Sequence, residues 1–363
     1  MSGPGSRTGL PEAVRPVAEA VNGRLADLLG GEVSRWSGVD PDLAAPFDAL
    51  RQYVLAGGKR LRPAFCFWAF VGAGGDGTDP AVTDAGAALE MLHTAALVHD
   101  DIIDGSPRRH GGDTVHVRFA DLHRSRGWAG LPGRFGEGAA IIIGDLALVY
   151  SSRLLAGAPA PALAVFEEMR LEVNVGQYLD ILGGAEGVGG PGDGEARARR
   201  ICRYKTAKYT IERPLHLGAA LAAPERLDRL AGPLSEFGLP LGEAFQLKDD
   251  LLGVFGDPGV TGKPVGDDLR EGKPTLLASL TASRVSGRRR DWFGERFGAD
   301  DLSDSDVVSM QELIEETGAR AEVESSIASL VARAETALEA LPLSADARLA
   351  LGELARFVAG RDR

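Results

Sequence analysis

The amino-acid sequence predicts an all-α protein, and three observations carry that expectation. Alanine and leucine recur at three- and four-residue spacing through long stretches, the period of a helix with an apolar face. No segment sustains the alternating, β-branched pattern of a sheet strand. Helix breakers, chiefly glycine and proline, lie between the periodic stretches.

In chain order, the periodicity predicts helix over Ala85–Ile103, Ala139–Leu155, Ala162–Leu182, Ala196–Leu217, Ala231–Leu252 and Val323–Leu341. Residues 1–15, which begin Met1-Ser2-Gly3-Pro4-Gly5-Ser6, are expected to be disordered. Gly111–Gly138 is polar and glycine-rich, and Gly183–Gly192 reads as a flexible surface loop. No repeat with a period of about 20–50 residues occurs, and nothing resembles an interdomain linker. A single helical domain over residues 16–363 is the simplest organisation.

Composition narrows the function. At 363 residues, with 44% hydrophobic and 25% charged residues, the chain is that of a soluble globular protein with a substantial core. A net charge of −12 argues against a general nucleic-acid or anionic-membrane binder, though it leaves room for a local basic pocket. Cys66 and Cys202 give neither a disulfide framework nor metal-ligand spacing and read as buried thiols. The N-terminus lacks a basic-then-apolar signal pattern. The uncharged stretch Pro63–Gly75 is too short and glycine-rich to span a bilayer. A cytoplasmic protein without a transmembrane segment is expected.

Of the 40 basic residues only six are lysine: Lys59, Lys205, Lys208, Lys248, Lys263 and Lys273. A compact ammonium differs chemically from a planar guanidinium, and all six lysines fall within or beside the motifs that follow.

Asp100, Asp101 and Asp104 lie at i, i+1 and i+4, so Asp100 and Asp104 stack one helical turn apart. Carboxylates so placed repel one another unless a cation sits among them, and hard oxygen ligands on one rigid face suit Mg²⁺. His93, seven residues before Asp100, projects from the same face. The spacing alone is weak, since Asp300-Asp301-Leu302-Ser303-Asp304 reproduces it. There it precedes the amphipathic run Val307–Glu316, where carboxylates cap a helix and complement its dipole. Asp100 instead follows the apolar run Leu89–Val98 and precedes Arg108-Arg109, which reads as a bidentate clamp for a diphosphate.

A second acidic cluster, Asp249-Asp250, follows Phe245-Gln246-Leu247-Lys248. It leads into Gly253, Asp257, Lys263, Asp267-Asp268 and Lys273. Such a constellation can hold metal ions and a polyphosphate. Gly57-Gly58-Lys59-Arg60-Leu61-Arg62-Pro63 is too short for a P-loop, but its glycines let backbone approach an anion while Lys59 and Arg62 supply charge. Lys205-Thr206 adds a cation beside a hydroxyl donor. No nucleophile–base triad, redox motif or nucleotide fold accompanies these residues. The chemistry they suit is departure of a diphosphate leaving group, with Mg²⁺, lysine and arginine stabilising the charge that develops on it.

In combination, GGKRLRP, LHTAALVHDDIIDGSPRRHG, GDLAL, YKTAKYT and FQLKDDLLGVFGD followed by GKPVGDDLREGKPT resemble the trans-isoprenyl diphosphate synthases, the polyprenyl synthetase family. The resemblance runs from about Leu50 to the C-terminus and is nearest to bacterial geranylgeranyl diphosphate synthases. It implies an all-α bundle around a central cavity, usually as a homodimer. It also implies that Lys59, Arg62, His93 and Arg109 bind isopentenyl diphosphate. Asp100, Asp104 and Asp249, with Asp101 and Asp250 beside them, would hold about three Mg²⁺ ions against an allylic diphosphate of five to fifteen carbons. Arg108, Lys205, Thr206, Gln246, Lys263 and Lys273 would grip that diphosphate, leaving Lys208 without a role. The sequence departs from the family at Gly253, where the second motif usually ends in aspartate; Asp257 or Asp268 would have to compensate.

Chain length is read from the residues before Asp100. Ala96 and Ala95 leave room for a growing chain, while Leu92 and Leu89, further down, are large enough to stop it. That favours a C20 product over C15, and Ala95→Phe is expected to shorten it; a farnesyl or longer polyprenyl product is the alternative. Two other classes share parts of the pattern. A class I terpene cyclase has no use for an isopentenyl site, yet Lys59, Arg62, His93 and Arg109 are present. A non-catalytic subunit would ordinarily lose the first aspartate cluster, which is intact.

Overall fold

A computed structural model describes residues 10–109, 111–188, 194–256 and 265–360. The first helices are α1 (Arg15–Ser37), α2 (Ala44–Leu55), α3 (Leu61–Gly72) and α4 (Pro80–Ile103). A two-residue ladder joins β1 (Arg108–Arg109) to β2 (Gly112–Asp113), followed by α5 (Val115–Arg126) and α6 (Pro132–Leu154). Next come α7 (Ala160–Glu186), α8 (Gly194–Ile201), a π-helical stretch (Cys202–Glu212), α9 (Arg213–Ala222) and α10 (Leu227–Phe255). Then follow α11 (Asp267–Arg270), α12 (Leu276–Arg284), α13 (Gly287–Arg296), α14 (Asp304–Glu316), α15 (Ala319–Glu339) and α16 (Ala345–Ala359). The all-α expectation holds, and these residues form two compact units. One is the chain to Ala158 with Ser344–Phe357; the other is Pro159–Leu343 with the residues from Val358.

In the first unit, α4 is central because most of its faces are apolar. Ala87, Met91, Ala95 and Val98 pack with Val17, Val21, Leu25 and Leu29 of α1, Phe47 and Leu50 of α2, and Ala140, Ile143 and Ala147 of α6. Each large side chain so buried stabilises the fold by about 1.5–3 kcal/mol. In the second unit, α10 is flanked by α15 and the π-helical stretch. Its Leu247, Leu251 and Val254 join Leu276, Leu277 and Leu280 of α12, Met310 and Ile314 of α14, and Val323 and Leu330 of α15.

Three local expectations change. Residues 12–15, expected to be disordered, are packed: the backbone N–H groups of Glu12 and Ala13 donate to the Glu353 carboxylate, and Val14 is fully buried. Residues 1–9 lie outside the described residues. Gly111–Gly138 contains α5, whose Val115, Phe119 and His123 are buried at helical spacing. Helix α7 continues past Leu182 to Glu186, and within that extra turn Gly183 lets Pro274 approach: a Cβ there would stand 2.8 Å from Pro274 Cγ. Helix α6 is long and apolar enough to cross a membrane by length and composition. In the structure it buries Ala140, Ile143 and Ala147 and leaves Ile141, Ile142 and Val149 exposed.

Both cysteines are buried free thiols, as expected. The Asp300–Asp304 run is structural too. Ser303 caps α14 in a capping box with Asp306, while Asp301 and Asp304 pair with Arg296 and Arg270.

Candidate active site

In the first unit, Asp100 and Asp101 occupy the last turn of α4 and Asp104 is its C-cap, with no basic residue in that turn. In the second, Asp249 and Asp250 lie in the last two turns of α10, again with no basic residue in the final turn. A helix C-terminus carries roughly half a unit of negative charge, so carboxylates gathered there are destabilised unless a cation joins them. The Asp304 run sits at a helix N-terminus, where carboxylates are favourable. Placement along the helix therefore separates two runs of identical spacing.

The three aspartates of α4 have different surroundings. Asp101 is 1% exposed; it accepts from Tyr53 Oη at 2.7 Å and from Arg109 Nε at 2.5 Å. It thus orients Arg109 and is turned away from solvent, which suits a positioning residue rather than one that meets substrate. Burial, then the Asp101 charge, raises the Tyr53 pKa well above its ordinary value, keeping the hydroxyl a donor. Asp100 is partly exposed, 3.9 Å from Arg109 Nη2, and Asp104 is exposed. Asp100 and Asp104 are the carboxylates directed outward.

Arg108, exposed, donates to the Gly111 carbonyl at 3.0 Å. The two arginines expected to act as one clamp are therefore held by different partners.

The loop before α3 is built on Arg60, which the sequence reading had not singled out. It adopts the left-handed conformation (φ 50°), which costs a non-glycine residue about 1–2 kcal/mol. Its guanidinium is buried: Nη1 pairs with Glu90, Nε donates to Asn22 Oδ1 at 2.9 Å and Nη2 to the Val54 carbonyl at 2.6 Å. Gly58, at φ 109°, leaves space for it: a Cβ there would stand 3.0 Å from Arg60 Nη1. With Arg60 turned inward, Lys59 is exposed, 5.5 Å from the Phe357 ring centroid, and Arg62 is half-buried. The end of α2 ties this loop to the acidic turn, since the Val54 carbonyl accepts from Arg60 and the hydroxyl of neighbouring Tyr53 donates to Asp101. His93 lies half-buried on α4.

In the second unit, Lys205 and Thr206 sit on the π-helical stretch, a geometry frequent at functional sites. Two glycines admit it: a Cβ on Gly176 of α7 would lie 2.4 Å from Lys205 N, and one on Gly242 of α10 would lie 2.5 Å from Ala207 Cα. Lys205 Nζ pairs with Asp180, a partner the sequence reading missed. Thr206 Oγ1 donates to Gln246 Oε1 at 2.5 Å, and Gln246 Nε2 donates to Asp250 Oδ1 at 2.7 Å. Burial, then the Asp268 charge, pushes the Asp250 carboxyl up to about 8. Asp250 therefore faces inward, whereas Asp249 is half-buried. Lys273 Nζ donates to Asp268 Oδ1 at 3.2 Å. Lys263 and Asp257 lie outside the described residues.

Lys208 gains a structural role. It pairs with buried Glu172, which also accepts from Arg213 Nε at 2.6 Å and Nη2 at 2.7 Å. Gly176→Ala should force the π-helical backbone to shift, costing about 1–3 kcal/mol. A thermal melt checks this, at about 2–4 °C per kcal/mol for a unit of this size; an unchanged melting temperature would mean the glycine contact is slack.

Each unit taken by itself offers donors that suit a divalent cation: hard carboxylate oxygens at the negative end of a helix, α4 in the first and α10 in the second. In the second, the Asp268 carboxylate fills the space that a Cβ on Gly253 would take. Among the described residues no three acidic, histidine or cysteine side chains form a ready cage. Mg²⁺ takes hard oxygen ligands, keeps several waters and accepts oxygens from substrate phosphates.

Comparison with known proteins agrees. The sequence pattern of the family described as "Polyprenyl synthetase" matches residues 45–315. A geranylfarnesyl diphosphate synthase of Aeropyrum pernix is 33% identical over 315 residues, covering 85% of this chain and 92% of that protein. A geranylgeranyl diphosphate synthase of Mycobacterium tuberculosis is 35% identical over 263 residues, covering 71% of this chain and 65% of that protein. A crystal structure of a geranylgeranyl pyrophosphate synthase from Corynebacterium glutamicum, complexed with isoprenyl diphosphate and magnesium, matches with a TM-score of 0.87 and 37% identity. It covers 96% of this chain and 99% of that one.

Proposed function

Because the chain belongs to the polyprenyl synthetase family and is an isoprenyl diphosphate synthase, we propose that it condenses isopentenyl diphosphate with allylic diphosphates of five to fifteen carbons to give all-trans geranylgeranyl diphosphate. The observation that carries this reading is the pair of acidic clusters at the C-terminal ends of α4 and α10, each where a helix least tolerates carboxylates without a cation.

Asp100, Asp104 and Asp249 are the residues that would hold Mg²⁺. When bound, Mg²⁺ supplies the positive charge that stabilises a departing diphosphate. Lys205, oriented by Asp180, grips the allylic diphosphate together with Thr206, Gln246 and Lys273. As the allylic carbon–oxygen bond breaks, its electron pair leaves with the diphosphate, and these donors stabilise the charge that grows on it. Lys59, Arg62, His93 and Arg109 hold isopentenyl diphosphate so that its double bond attacks the allylic carbon. Asp101 fixes Arg109 from behind. The proton lost from the new chain passes to the released pyrophosphate.

The C20 product is supported by α4 below the acidic turn. Ala96, one turn before Asp100, is half-buried, and Leu92, a further turn down, is 1% exposed. Ala95 is 1% exposed and packs in the core with Met91 and Val98. Ala96→Phe should shorten the main product to C15 or less with turnover retained. Ala95→Phe should add a loss of stability of about 1–3 kcal/mol from overpacking. Chromatography of products from Mg²⁺, isopentenyl diphosphate and each of the C5, C10 and C15 primers tests the reading as a whole. Hydrocarbons formed without isopentenyl consumption, or an unaltered product from Ala96→Phe, would count against it. A homodimer belongs to the same reading, supported by the exposed Ile141, Ile142 and Val149 on α6.

A further inference from the structure

The second unit holds a cavity of about 260 Å³ where α8, the start of the π-helical stretch, α10, α12 and α15 meet. Two kinds of side chain line it. Ala198, Leu247, Leu276 and Leu330 belong to the apolar core of this unit, and each is at most 8% exposed. Arg199, Arg200 and Arg203 are exposed and supply cations beside that apolar wall.

The protein's own carboxylates leave these arginines largely unpaired. Arg203 Nη1 stands 4.0 Å from Glu243 Oε1, beyond a hydrogen bond. Among the described residues, the side chains of Arg199 and Arg200 form no ion pair or hydrogen bond. Glu243 also feels Arg333 and Arg199, yet burial holds its carboxyl above the ordinary carboxylate range. Asp250, the other acid of the lining, already accepts from Gln246 Nε2 at 2.7 Å. In a chain of net charge −12, arginines that outnumber the carboxylates around them are a local exception, and they favour an anion.

Size and chemistry together describe the occupant. An engineered apolar cavity of about 150 Å³ in another protein takes benzene, so one of about 260 Å³ suits roughly ten heavy atoms. The apolar wall calls for a hydrocarbon body. The guanidinium groups call for a carboxylate or a phosphate, which they can grip bidentately. We propose that this cavity binds a single-tailed amphiphilic anion, its tail against Ala198, Leu247, Leu276 and Leu330 and its head group among Arg199, Arg200 and Arg203. A fatty carboxylate and an alkyl or prenyl phosphate share this chemistry.

Isothermal titration of the full-length protein with octanoate, octyl phosphate, octanol and inorganic phosphate tests the site. Octanoate or octyl phosphate should bind at least about tenfold more tightly than octanol, which lacks the charge, and than inorganic phosphate, which lacks the tail. The tighter of the two identifies the preferred head group. Inorganic pyrophosphate with Mg²⁺ should leave that affinity unchanged; competition would place the binding in the diphosphate site and overturn the proposal. Arg199→Gln/Arg200→Gln should weaken binding about tenfold, the scale of one charge-assisted contact. Its melting temperature without ligand should match that of the parent protein, since neither guanidinium holds a described partner. Undiminished affinity in that variant, or binding of neither octyl anion, overturns the proposal.

Discussion

Replacing Asp100 with alanine should lower turnover by about 10²–10³-fold, the usual scale for removing one preorganised electrostatic contribution to a transition state. The melting temperature should move far less than for a buried carboxylate, because Asp100 is partly exposed. Its neighbour should behave in the opposite way. Asp101 is 1% exposed and receives both Tyr53 and Arg109, so Asp101→Ala strands a guanidinium and a phenol in a poorly solvated place. Breaking such a pair from one side costs about 3–5 kcal/mol. Steady-state kinetics at saturating Mg²⁺, paired with thermal melts of both variants, separates the two roles. If Asp100→Ala loses stability and keeps activity, the assignment of outward ligand and inward support is reversed.

That contrast marks what the sequence could and could not reveal. The helical turn bringing Asp100 and Asp104 to one face is local, so spacing was enough. Asp101 lies in the same run, yet its burial depends on Tyr53, 48 residues earlier in the chain, and no local pattern encodes it. The same is true of Lys205 and Asp180, and of Lys208, whose partner Glu172 is 36 residues away. A weaker signal was available for Lys208, since Glu212 stands at i+4. Helix α5 was legible too: Val115, Phe119 and Leu122 repeat at helical spacing, but the glycines around them dominate the stretch. Gly253 was visible as a departure, and Asp268 was one of two candidates for compensating it. Only the third dimension places the Asp268 carboxylate over that glycine.

Glu90→Ala should be among the most destabilising substitutions in the first unit. Glu90 is 3% exposed and pairs with Arg60, itself 5% exposed, so truncation leaves an uncompensated guanidinium in the core. The loss should be about 3–5 kcal/mol, a fall in melting temperature on the order of 10 °C. The functional consequence is separable from the loss of stability. Arg60 stands between Lys59 and Arg62 in a left-handed turn, and its bonds to Asn22 and the Val54 carbonyl are what hold that turn inward. Glu90→Ala should therefore raise the KM for isopentenyl diphosphate more than it lowers kcat. Arg60→Met/Glu90→Met replaces the buried ion pair with apolar groups, a change that often recovers stability. It cannot recreate the bonds to Asn22 and Val54. The melting temperature of the double variant should return most of the way while its KM stays high. If KM instead recovers in step with melting temperature, Arg60 stabilises the unit without positioning Lys59 and Arg62.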